Sequence, residues 1–107
     1  MYATVTRQFI KLLRKGKIKD AENANLQKAD LRMVDLRGAD LQEANLQGAN
    51  LQRADLQEAN LQEANLQWAN LQGADLQNIK SLCNANIDGI KISYRGKVAT
   101  IRMEVER

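Results

Sequence analysis

The 107 residues contain no histidine, so the first places to look for chemistry are a single thiol, two serines and a scatter of carboxylates. A serine or cysteine nucleophile needs an adjacent base or a depressed pKa. Neither Ser81 nor Ser93 has a base at a spacing that would pair with it. Cys83 has no neighbouring cation or helix start to favour its thiolate, so it reads as a solvated thiol. There is no phosphate-cradling glycine loop and no spaced set of metal ligands. Catalytic, metal and cofactor-binding residues are therefore expected to be absent, and the chain is read as a non-enzyme. The other concentration of reactive charge is basic: Arg7, Lys11, Arg14, Lys15, Lys17 and Lys19. Without interleaved aromatics such a run reads as a solvated face, and neither nucleic acid nor a membrane is expected as its partner.

The scaffold that holds these groups is written in a short period. From Ala39 to Gln77 the chain reads ADLQE ANLQG ANLQR ADLQE ANLQE ANLQW ANLQG ADLQ. On an α-helix a five-residue step turns by about 140°, which scatters the leucines around the cylinder. In a flat strand the same step puts successive leucines on opposite faces. A backbone that turns a corner once per repeat gives them a common axis, which is the signature of a solenoid. Every fifth residue from Leu26 to Leu76 is a leucine hub. Two residues before each hub stands Ala, or Val at Val34, and Asn or Asp lies between them. Gln or Arg follows the hub, and the fifth position varies freely, from Lys28 and Met33 to Trp68 and Gly73. A constant inside and a free outside predict an apolar core, with turn-forming Gly, Asn and Asp at the corners.

ADLQE, ANLQG and ADLRG resemble the motif of the pentapeptide-repeat family, Ala, Asp or Asn, Leu and two variable residues. The resemblance implies an all-β solenoid, a right-handed quadrilateral β-helix with four pentapeptides per coil. Residues twenty apart then stack at the ~4.8 Å spacing of paired strands, in columns Leu26/Leu46/Leu66, Leu31/Leu51/Leu71, Leu36/Leu56/Leu76 and Leu41/Leu61. It also stacks Asp35, Asp55 and Asp75 in a column that a cation could occupy. Lacking convergent backbone or amide ligands, these are expected to form a solvated ladder eased by Arg32, Arg37 and Arg53. Gln27, Gln47 and Gln67, and likewise Gln42 and Gln62, are expected to stack their amides along the wall. Trp68 falls at a corner, pointing outward between Gly48 and open space, as a contact for a partner; the alternative packs it beneath the C-terminal segment. The register slips once: Ile79 and Leu82 read as the inward pair of a repeat bulged by one extra residue among Lys80 and Ser81. The step resumes at Ala85 and Ile87, then Ile90 and Ile92, which makes about three and a half coils.

The flanks read as covers for the exposed coil ends, which otherwise invite edge pairing. Val5, Phe9, Leu12 and Leu13 fall at helical spacing, so a helix is expected near 5–15, capped by Thr4 and ended at Gly16. At the other end IKISYRGKVATIRMEV reads as a hairpin turning at Arg95-Gly96. Ile101, Met103 and Val105 would cover the last coil or pair with a second molecule, which makes a homodimer through this end an expectation. The chain is read as one domain over 1–107: a helical cap (1–23), the β-helix (24–94) and a capping strand (95–107).

Composition narrows the class of function. No apolar run is long enough to cross a membrane and no apolar leader is seen, and a lone cysteine suits a reducing cytoplasm. Residues 1–23 carry net charge +4, residues 24–79 −4 and residues 80–107 +3, an acidic coil between basic ends. Some pentapeptide-repeat proteins mimic DNA and bind DNA gyrase, so that activity enters through the resemblance. A coil with net charge of four falls short of the ~1 charge per 1.7 Å of duplex DNA. The reading preferred on the sequence is a scaffold or protein-interaction module with an unidentified protein partner.

Overall fold

The computed structural model describes residues 7–16, 19–94 and 97–100. Its organising feature is a parallel ladder in which residues twenty apart pair: Asp20 with Asp40, Asn25 with Asn45, Asp30 with Asn50, Asp35 with Asp55. The same spacing continues through Asp40–Asn60, Asn45–Asn65, Asn50–Asn70 and Asp55–Asp75. Twenty residues at five per repeat give a solenoid with four walls. We call each level of the stack a rung and name the walls by their hubs: wall I (Leu26, Leu46, Leu66, Ile87), wall II (Leu31, Leu51, Leu71, Ile92), wall III (Leu36, Leu56, Leu76) and wall IV (Ala21, Leu41, Leu61, Leu82). The ladder opens at Asp20 with Ala21 at the hub position, one repeat before the first leucine hub.

Main-chain hydrogen bonds between rungs hold the stack. The hub amide of Leu26 donates to Asn45 O at 2.7 Å, the corner amide of Lys28 to Gln47 O at 2.9 Å, and Asn45 N donates back to Ala24 O at 2.9 Å. Within each repeat the chain closes a β-turn, as where Ala29 N donates to Leu26 O at 3.1 Å. The fifth residue of each repeat takes positive φ, from Asn23 at 61° through Met33 at 58° and Trp68 at 62° to Gly89 at 77°. Positive φ at the third turn position with an i to i+3 bond is the pattern of a type II turn.

The one-residue slip lies where the sequence places it. Lys80 N still donates to Ala59 O in the regular register, but Asn60 pairs with Ser81 and Asn65 with Asn86, so the spacing becomes twenty-one from Ser81 onward. Helix α1 spans Arg7–Arg14, within the expected 5–15, and ends at Gly16, whose N–H donates to Leu13 O and whose φ is +69°. Thr4 and Val5 lie outside the described residues. Strand β1 (Asn70–Leu71) is the last regular rung of wall II; it pairs in parallel with β2 (Lys91–Tyr94), and β2 pairs antiparallel with β3 (Lys97–Thr100) in the order β1-β2-β3. Ile92 faces Ala99, as the hairpin reading requires. The turn at 95–96 and the residues Ile101, Met103 and Val105 lie outside the described residues.

The core is one apolar column. Leu26 through Leu71 and the alanines from Ala29 to Ala69 are buried, α1 adds Leu13 to the same cluster, and no polar side chain among the described residues is buried. Each buried leucine contributes roughly 1.5–3 kcal/mol relative to exposure, and the alanines let opposite walls approach. The expectation that every hub lies in a dry core fails at the C-terminal rung: Leu76 is 39% exposed and Leu82 49%. Among the described residues, Asp75 and Ser81 pair only with the preceding rung, so these two hubs have a stacked leucine on one side.

Candidate interaction site

All polar groups of the coil face outward, so any site is built from walls and corners. The first element is the Asn or Asp before each hub. Its Oδ1 accepts the backbone N–H two residues on: Gln27 N to Asn25 Oδ1 at 3.2 Å, Gln42 N to Asp40 Oδ1 at 3.1 Å, Gln67 N to Asn65 Oδ1 at 3.0 Å. The slipped repeat keeps the motif with a hydroxyl, Cys83 N donating to Ser81 Oγ at 3.1 Å. This Asx turn wraps the main chain around the hub and satisfies an amide that the ladder leaves over. Sequence reasoning assigned these residues to corners without this role; the signal was the absence of any other residue type between each Ala and Leu.

On wall III, Asp35, Asp55 and Asp75 stack as expected. They form a paired ladder, not a cation cage. Arg37 donates to both oxygens of Asp35 at 3.1 Å and reaches Asp55 Oδ2 at 3.6 Å, Lys19 Nζ lies 3.4 Å from Asp35 Oδ1, and Gln57 Nε2 donates to Asp75 Oδ2 at 2.9 Å. The Arg37 hydrogen bonds hold the Asp35 carboxyl well below the ordinary carboxylate range. Of the three arginines expected to ease this column, only Arg37 does so. Arg32 is taken by Asp30 at 2.8 Å, and Arg53 makes no ion pair among the described residues. Among the described residues, the three carboxylates that do converge within 4.8 Å are Asp20, Glu22 and Asp40, on wall IV.

Wall IV is the acidic wall. Asp20, Glu22, Asp40, Glu43 and Glu63 occupy its first three rungs, and residues 20–23, 40–43 and 60–63 include no base. A hydrogen bond with Glu63 and its charge, with Glu22 adding, push the Glu43 carboxyl above its ordinary value. Opposite lies wall II, where Arg32, Arg53 and Lys91 stand on the first, second and fourth rungs, with Arg14 of α1 near the first, against a single acid, Asp30. The basic–acidic contrast read along the chain is thus also a contrast around the tube.

Trp68 sits at the corner after wall I, 52% exposed. The far side of its ring is not open space: a Cβ built on Gly89 would fall 2.7 Å from Trp68 Cζ3, so the indole lies flat over that glycine. Gly48 is covered by Lys28 instead, and Gly73 by Arg53, whose Cγ a Cβ would meet at 3.4 and 3.2 Å respectively. Corner side chains therefore lean one rung forward onto glycine. The alternation Lys28, Gly48, Trp68, Gly89 was the sequence sign of it. The expected amide stacking forms at Gln27–Gln47, 3.2 Å, and at no other expected pair among the described residues. Cys83 is exposed and unpaired.

A four-walled tube of stacked pentapeptides, turned at Asx corners around a leucine axis, defines a class of β-solenoid. The profile for pentapeptide repeats matches residues 20–42 and 39–78 in eight copies, more than half of the chain, and the chain belongs to that family. Among solved structures it is similar to HetL, a pentapeptide repeat protein involved in heterocyst differentiation regulation from the cyanobacterium Nostoc (36% identity, 75% of this chain, 43% of that one, TM-score 0.43). It is also similar to a pentapeptide repeat protein of the cyanobacterium Cyanothece (36%, 72%, 51%, TM-score 0.45) and to one of the Arabidopsis thaliana thylakoid lumen (28%, 72%, 66%, TM-score 0.40). The chain spans about half the length of the first two. No curated protein matches it. Among the described residues no helix is long and apolar enough to cross a membrane.

Proposed function

We propose that the chain is a non-enzymatic scaffold, a protein-interaction module that presents fixed walls to a protein partner, with Trp68 as an anchor. The observation that carries this reading is the placement of polarity: the buried side chains are aliphatic, so recognition is left to the surface. A half-exposed indole held flat on Gly89 is a preorganised contact of the type that dominates interfaces. The reading includes a right-handed coil of about three and a half turns with α1 over one end and the C-terminal hairpin at the other. It also includes self-association through that hairpin end by Ile101, Met103 and Val105, supported by the exposed Leu76 and Leu82. A reducing, cytoplasmic setting is supported by the exposed, unpaired Cys83. Affinity capture from native lysate tests the module. A partner held by the wild type and lost with Trp68→Ala supports it; equal retention or no partner for either refutes the anchor. Sedimentation showing a strict monomer at high concentration refutes the self-association.

Wall IV favours a second reading, mimicry of DNA toward gyrase. Its five carboxylates over three rungs, about 14 Å at ~4.8 Å each, compare with about eight charges on duplex DNA of that length. Unchanged gyrase supercoiling at saturating protein refutes it.

A further inference from the structure

Wall II carries a groove of about 580 Å³ that the module reading leaves unassigned. Arg14 and Arg32 line its lower end, Met33 and Gln52 its middle, and Gln72 and Ser93 its upper end, with Arg53 lying across it over Gly73. The lower end already shows what this surface recognises. Arg32 grips both oxygens of Asp30 at 2.8 Å, and Arg14 Nη1 adds a 3.1 Å bond to Asp30 O. One rung up the pattern is broken: the ladder column that begins with Asp30 continues as Asn50, Asn70 and Lys91. Arg53 therefore stands beside amides, with no acid paired to it among the described residues. A guanidinium presented this way accepts an incoming carboxylate in fork geometry.

We infer that wall II binds an extended acidic peptide segment, one of whose carboxylates pairs with Arg53 in continuation of Asp30. The inference rests on the protein-interaction reading and supplies the chemistry of the partner. Three features favour a peptide over other anions. The Gln52 and Gln72 amides flanking Arg53 offer donors and acceptors that match peptide groups. Met33, 68% exposed, offers an apolar pad beside them. Three rungs at ~4.8 Å match four to five residues of strand at ~3.3 Å each. Trp68, the exposed aromatic ring that could serve a base, stands at a different corner, after wall I.

Fluorescence anisotropy of the full chain with labelled hexaglutamate tests the inference, with a ten-residue oligothymidylate as competitor. Saturable binding that weakens with salt is expected, falling about tenfold or more in Arg53→Gln. Lys80→Gln, which removes the same charge elsewhere, and Trp68→Ala are expected to leave the affinity within twofold. Circular dichroism of Arg53→Gln confirms that the fold is retained, since this side chain is exposed. No binding at low salt, or binding indifferent to Arg53→Gln, overturns the inference. So does oligothymidylate displacing hexaglutamate at lower concentration, which makes the groove a nucleic-acid surface. Failure here with a Trp68-dependent partner still captured overturns the groove alone; hexaglutamate binding with no captured partner overturns the Trp68 anchor alone.

Discussion

Three glycines share one backbone conformation and differ only in what lies above them, so replacing each with alanine separates dihedral cost from contact cost. Gly38 has φ +67° and nothing within 4 Å of a built Cβ. Gly38→Ala thus carries the left-handed penalty alone, about 1–2 kcal/mol. Gly73, φ +73°, brings the new methyl to 3.2 Å from Arg53 Cγ, the stem of a flexible side chain that yields by a few tenths of an ångström. Its cost is expected only slightly above that of Gly38. Gly89, φ +77°, lies under the Trp68 ring, with Cδ2 at 2.8 Å and Cζ3 at 2.7 Å from the built Cβ. There the ring must lift, adding roughly 1–3 kcal/mol of overpacking and changing the indole's environment. In urea unfolding, with a slope of roughly 1–2 kcal/mol/M for a chain of this size, Gly38→Ala shifts the midpoint by about 1 M. Gly89→Ala shifts it by about twice that and alters native tryptophan fluorescence. Gly38→Asn should cost less than Gly38→Ala, because Asn23, Asn78 and Asn84 already hold φ of 61°, 56° and 58°. Equal midpoints for the Gly38 and Gly89 variants, or an unshifted Gly38→Ala, would refute the assignment of these costs.

Identical hubs are expected to respond unequally to truncation: Leu46→Ala, fully buried, costs about 2–5 kcal/mol in urea unfolding, whereas Leu82→Ala, 49% exposed, costs under about 1 kcal/mol. Asn70→Asp keeps the oxygen that accepts Gln72 N and stays close to wild-type stability; Asn70→Ala loses that bond and about 1 kcal/mol by the same assay. The pH profile has two opposed contributions. Hydrogen bonds from Arg32 hold Asp30 at about 2, below its ordinary 3.8, and Asp35 is lowered likewise by Arg37, so both stabilise the fold above pH ~4 and that contribution fades as pH falls below it. Glu43 is raised above its ordinary 4.5, so its contribution is fully present below that pH and is lost as pH rises through the raised value. Glu43→Gln should therefore melt higher than wild type at pH 7, and the gain should vanish toward pH 4.

The geometry was largely legible in the sequence because the fold repeats one local rule. A leucine every five residues admits no helix and no flat strand, and the columns, the extra residue near Lys80 and the stop at Gly16 follow from counting. Two things were written there but hidden by the direction of reading. Charge summed along the chain gave an acidic coil between basic ends; read every twenty residues, Asp20, Glu22, Asp40, Glu43 and Glu63 collect on one wall and Arg32, Arg53 and Lys91 on the opposite one. The forward lean of corner side chains appears only when Trp68 is set beside Gly89 across the one-residue slip. What the period could not convey was where it loses force. Leu76 and Leu82 carry the same letter as Leu46, and their exposure comes from standing at the end of a stack. The pairing of Arg32 with Asp30, which leaves Arg53 to other partners, is set by side-chain reach, which spacing does not encode.

The Asx turn uses a single oxygen, and Asp and Asn carry that atom alike. The main chain is therefore indifferent to whether the position bears a full negative charge or none. Shape and electric potential are decoupled at every such turn along the tube: exchanging the second terminal atom, O for NH₂, repaints a wall while the cylinder beneath it keeps its outline. A wall on this cylinder can change between anionic and neutral by such exchanges while the turn beneath it is kept, so binding preference can change without a change of architecture.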